Sequence, residues 1–64
     1  MKHSEFWVRM EHQLGSGYAR VWADTQVIGG LGSRTVTEAL ESGDQPKVVW
    51  RAVHTHLGLP ARDR

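Results

Sequence analysis

Cysteine is absent from this chain of 64 residues, which excludes a disulfide framework and any zinc site built on thiolates and fits a reducing cytoplasm. No apolar run approaches the ~20 residues of a membrane span, and the opening MKHSEFW lacks the apolar core of a signal peptide. A soluble, cytoplasmic protein is the expectation. Charge of one sign is missing as well. Three basic residues stand against three acidic ones up to Gly32 and five against four from Ser33 onward, for a net charge of +1. So balanced a chain carries no strong built-in attraction to nucleic acid or to an anionic membrane. Neither a cysteine nucleophile nor a Gly-x-Ser-x-Gly elbow occurs, and the acidic residues fall on faces predicted to be exposed, where no burial prepares a carboxyl for acid–base work. A domain this short also leaves little room for a substrate pocket of roughly 300 Å³ or more. The reading is a non-enzyme without a cofactor.

What is present must stabilise a single small domain, spanning 1–64 with a frayed tail over 61–64. At this length the fraction of surface buried on folding is low, and no staple compensates. Three tryptophans, one tyrosine and one phenylalanine supply large buried areas instead, so the core is expected to be rich in aromatics.

The best-punctuated stretch runs from Thr35 to Leu57. Thr35 and Glu38 have the spacing of a capping box, in which the threonine hydroxyl takes the amide of Glu38 and the glutamate reaches back to the amide of Thr35. The short helix that follows must stop near Gly43, a residue that accepts the left-handed conformation without a Cβ clash. Asp44 or Gln45 can then cap a new helix, and Pro46 in its first turn sacrifices no hydrogen bond. Gly58 and Pro60 end it after Leu57. Upstream, Ser4 caps a first helix whose residues Phe6, Trp7, Met10 and Leu14 share one face. Ser16 caps a second, with Tyr18, Val21, Trp22, Thr25 and Ile28 as its apolar stripe, Ala19 and Ala23 flanking it, and Arg20 and Asp24 paired on the outer face. The spacing therefore predicts helices over 5–14, 17–28, 36–42 and 46–57: an all-α fold, a compact bundle of about four short helices. Gly29, Gly30 and Gly32 form a helix-breaking loop around Leu31, with no preceding strand and no following Gly-Lys-Ser/Thr to make it a phosphate loop.

The last two helices resemble a helix-turn-helix in spacing, with Ala39, Gly43 and Val49 at the small, turn and aliphatic positions. Glu38 and Asp44 stand where DNA-binding members carry apolar residues, and Pro46 alters the start of the would-be recognition helix, so a hairpin that closes a core is the plainer reading. On the last helix Pro46, Val49, Trp50, Val53 and Leu57 make the core face, and Lys47, Arg51 and His54 make an acid-free face on the far side. With Arg34 at the start of the preceding helix, these four residues are the candidate nucleic-acid contacts. Two cations on one helix allow weak, salt-sensitive binding at best. The histidines do not assemble a metal site. His54 and His56, two residues apart, point about 160° away from each other on a helix. His54 reads as solvated, and His56, beside the apolar face, as a hydrogen-bonded packing residue.

The segments EFWVRME, YARVWADTQVI, LGSRTVTEALESG, PKVVWRAV and LGLPAR together resemble a small actinobacterial family of unknown function, the domain of unknown function 3046 type. The resemblance implies an all-helical domain of this length, often encoded beside homologous-recombination genes, with no established biochemical activity and no assigned binding residue. The expected function is that of an interaction module for a protein partner, with a helix-turn-helix-like DNA-binding module linked to DNA repair or its regulation as the alternative. Neither a membrane nor a metal ion is an expected partner, and monomer and homodimer both stay open.

Overall fold

Four α-helices and a two-stranded ribbon are formed among residues 1–61, which the computed structural model describes. Helix α1 is His3–Leu14, α2 is Ala19–Thr25, strands β1 and β2 are Val27–Ile28 and Arg34–Thr35, α3 is Val36–Glu41 and α4 is Pro46–Leu57. The expectation of an all-α fold is thus corrected: β1 and β2 pair antiparallel, Val27 opposite Thr35 and Ile28 opposite Arg34. The three residues of the expected tail beyond Ala61 lie outside the described residues.

The ribbon arises where α2 ends early. Past Thr25 the chain runs through β-branched Val27 and Ile28 into two glycines, all poor helix formers. Thr25 also bonds its hydroxyl back to the carbonyl of Val21 at 2.7 Å, a contact that weakens a helix end. Gln26 is already extended (ψ 117°). A 3-10 turn over Gly29–Leu31 follows, and then Gly32 and Ser33 in left-handed conformations (φ 72° and 61°) turn the chain back. Ile28 is buried, as its helical spacing implied, but it faces inward by strand alternation with exposed Val27 as its outward neighbour.

Local punctuation in the second half of the chain follows the sequence closely. Thr35 and Glu38 form the reciprocal capping box, with bonds of 3.1 and 2.9 Å. Gly43 sits at φ 95°, and the amides of Asp44 and Gly43 return to the carbonyls of Ala39 and Leu40 at 3.1 Å each. This is the Schellman closure that a left-handed residue permits. The same pair of bonds closes α4, from Leu59 to His54 and from Gly58 to Thr55. At the other end of the chain α1 begins two residues before its expected start, with Lys2 rather than Ser4 at the cap.

Packing joins α1 to α2, α2 to α3, α3 to α4 and α4 back to α1. The core consists of Phe6 and Met10 of α1, Trp22 of α2, Ile28, Leu31, Val36, and Val49, Trp50 and Val53 of α4, with Ala19, Ala23 and Ala39 at zero exposure between them. Trp7, Leu14, Leu40 and Leu57 pack on its margin. Two residues expected in the core are not there: Tyr18 is 55% exposed and Val21 53%. Helix α2 is turned by roughly one residue, about 100°, relative to its most hydrophobic stripe. It presents Ala19, Trp22 and Ala23 inward, and against α3, whose inner residues are Val36 and Ala39, methyl-sized contacts permit close approach. Tight packing of small side chains wins over burial of larger ones.

This arrangement inverts the usual ranking of substitutions in α2. Val21→Ser is expected to change stability by no more than about 0.5 kcal/mol, whereas Ala23→Leu, although more hydrophobic, overpacks the helix contact and costs about 1–3 kcal/mol. Urea denaturation of the two variants checks the order, and a larger loss for Val21→Ser would restore the stripe read from the sequence.

Candidate binding groove between the first and last helices

Helices α1 and α4 are held together by their aromatic residues. Phe6 meets Trp50 edge to face, with ring centroids 6.2 Å apart, and Phe6 in turn meets Trp7 in the same manner at 5.2 Å. Both Phe6 and Trp50 are buried. On either side of this contact, residues spaced by four in the sequence form a row, with Met1 lying just before α1. Met1, Glu5 and Arg9 stand on one wall, Lys47, Arg51 and Thr55 on the other, with Trp50 and His54 at the base of a groove of about 700 Å³. Three cations, Arg9, Lys47 and Arg51, thus share the groove with one carboxylate, Glu5.

Lys47, Arg51 and His54, three of the four candidate contacts read from the sequence, line this one groove. They differ in what they offer. Lys47 and Arg51 are exposed, while His54 is 6% exposed and its Nε2 lies 2.7 Å from the carbonyl oxygen of Pro60. A carbonyl only accepts, so Nε2 carries a hydrogen and donates it. The solvated role expected of His54 is therefore corrected: it is a buried side chain that ties the segment after α4 to the helix. The reason lies in helical geometry, since residue 54 is only about 40° around the axis from Trp50. His56, expected to be the hydrogen-bonded packing residue, is exposed and lies beside the Trp22 ring at 5.9 Å.

Arg34 lies outside the groove. Its Nη2 donates to Asp44 at 2.6 Å and its Nε to the carbonyl of Leu31 at 2.8 Å. The ion pair joins the residue before the cap of α3 to the residue after its glycine terminator, and so clasps the two ends of one short helix. Arg20 and Asp24 likewise serve the fold separately rather than pairing with each other. The Arg20 guanidinium lies 3.7 Å from the centre of the Trp7 ring, and Asp24 accepts the hydroxyl of Thr37. Both line a smaller cleft of about 320 Å³ with His3 and Glu41, where these contacts hold α1, α2 and α3 together.

Sequence reasoning missed the contribution of α1. Glu5 and Arg9 belong to its polar side, and their spacing of four, with Met1 a further four back, matches that of Lys47, Arg51 and Thr55. That repeated interval was the available signal, but nothing local says which two helices lie side by side. Among the described residues no group of three or more histidine, cysteine, aspartate or glutamate side chains is gathered to hold a metal ion, and no helix is long and apolar enough to cross a membrane.

The model of one protein family, described as a protein of unknown function (DUF3046), matches residues 1–62. The chain belongs to this family. No curated protein and no solved structure matches it. The DUF3046 description assigns no activity, so a functional reading must come from the side chains themselves.

The buried state of His54 has a measurable consequence. His54→Ala is expected to lower the unfolding free energy by about 1–3 kcal/mol, through lost packing and the lost bond to Pro60. Urea denaturation measures it, and a change within about 0.5 kcal/mol would return His54 to the surface role.

Proposed function

We propose that the domain is a non-enzymatic interaction module that holds a segment of a protein partner in the groove between α1 and α4. The observation that carries this reading is the pair of facing rows, Met1, Glu5 and Arg9 against Lys47, Arg51 and Thr55. A concave surface with charged walls suits an inserted chain, as in the grooves that take peptides. Exposed Val8 and Val48, at 66% and 52%, add apolar area on the same two helices.

A second reading, a weak helix-turn-helix-like DNA contact, is favoured by one observation. Residues 42–45, with Gly43 at φ 95°, connect α3 to α4 in the length and manner of such motifs. The resemblance to an actinobacterial family encoded near recombination genes points the same way, towards repair or its regulation. The side chains argue against it. A recognition helix must project into a major groove about 12 Å wide, whereas the cationic side of α4 is flanked by α1. Arg34 is engaged with Asp44 and His54 with Pro60, which leaves α4 with Lys47 and Arg51 as exposed cations. Two such contacts give little affinity for a duplex, and added salt weakens it further.

A photo-crosslinking residue placed at Thr55 on the groove rim, and separately at Val27 on the ribbon, distinguishes the readings in cells. We expect a discrete protein adduct from position 55 that position 27 does not give. Nucleic-acid adducts from position 55, or the same adducts from both positions, would overturn the protein-partner reading.

A further inference from the structure

We infer that the occupant of the groove is an acidic chain segment presenting two carboxylates about 6 Å apart to α4, an inference that rests on the groove being the contact surface. Lys47 and Arg51 lie one helical turn apart, so their charges repeat at about 6 Å along the axis. Both are exposed, and among the described residues neither has a carboxylate within ion-pair distance. The other arginines whose contacts are described above are already engaged: Arg34 with Asp44, Arg20 with the face of Trp7. Lys47 and Arg51 are therefore two cations on the groove wall that are open to a partner.

The walls also fix the extent and the polarity of that partner. Thr55, the next residue along the row, replaces charge with a hydroxyl and ends the cationic stretch after two positions. On the opposite wall Glu5 stands beside Arg9, so that wall carries no net charge and draws no second row of acids. The matching segment is acidic on the side facing α4 and without net charge on the side facing α1. Alternate residues of an extended chain are about 6.6–6.8 Å apart, and residues one turn apart on a helix about 6 Å, so two acids on one face of either meet Lys47 and Arg51 together. A nucleic-acid strand fits less well, because its charge runs on without a break and unstacked bases need an exposed aromatic face. Trp50, at the base of the groove, is 2% exposed.

The test is an NMR titration of the isotope-labelled full chain at low salt with blocked peptides that alternate glutamate and leucine, glutamine and leucine, or lysine and leucine. The glutamate peptide is expected to move the amide signals of Glu5, Lys47, Arg51 and Thr55 and to bind roughly three- to tenfold more tightly than the glutamine peptide. The charge-reversed variant Lys47→Glu plus Arg51→Glu should lose the glutamate peptide and prefer the lysine one, while the neutral variant Lys47→Gln plus Arg51→Gln should bind the glutamate and glutamine peptides alike. Equal binding of these two peptides by the unaltered chain, with shifts in the groove, would overturn the acidic occupant and leave the groove standing. Shifts confined to other surfaces, an absence of shifts with every peptide, or tighter binding of a short DNA duplex at the same residues would overturn both.

Discussion

Phe6 and Trp50 meet edge to face 6.2 Å apart, and this contact joins helices that begin and end the folded chain. In a domain of 64 residues without cysteine there is no cross-link to take its place. Burying each aromatic contributes about 1.5–3 kcal/mol, and the edge-on geometry adds about 0.5–1.5 kcal/mol. Set against a net stability of about 3–10 kcal/mol at this length, the pair accounts for a large share. It also determines where the groove lies. With the bulk of both rings turned inward, the residues on the outer shoulders of α1 and α4 stand as two walls.

The middle of the chain serves this contact by bracing it. Ala19, Ala23 and Ala39 let α2 and α3 approach closely, and each is fully buried. The stacking of Arg20 on Trp7 and the bond from Thr37 to Asp24 then lock α1, α2 and α3 in place. The loop between the strands rests on α4, where a Cβ added to Gly30 would lie 3.5 Å from that of Ala52. Several charged side chains serve the fold itself: Arg34 with Asp44, Arg20 on Trp7, Asp24 with Thr37 and Glu38 at the cap of α3. Lys47 and Arg51, both exposed and on one side of α4, set the charge of the groove.

How much of this could be read from the residues depended on the range of the interaction concerned. Features set within four or five residues were legible: the Thr35–Glu38 box, the glycine terminators and the proline at the start of α4 use backbone hydrogen bonds that the neighbouring sequence alone specifies. The face of α2 was not, because hydrophobicity ranks Tyr18 and Val21 above alanine, while burial was decided by how closely α3 approaches. The ribbon was hidden by a coincidence of periods, since Ile28 satisfies both the helical stripe and strand alternation. In the groove, Lys47 and Arg51 followed from the periodicity of α4. Glu5 and Arg9 did not, because helix pairing is non-local, and the diversion of Arg34 to a carboxylate ten residues away could not be anticipated from either residue's surroundings.

The groove exists only if α1 lies beside the cationic side of α4. Because the chain has no cysteine, Thr55→Cys introduces a unique thiol on the groove rim that can carry a nitroxide spin label. Paramagnetic broadening of amide signals then reports which residues face it across the groove. Glu5 and Arg9 are expected to be strongly broadened and to recover their full intensity when the label is reduced. Unchanged intensities at Glu5 and Arg9, with broadening confined to α4 itself, would contradict that placement of α1.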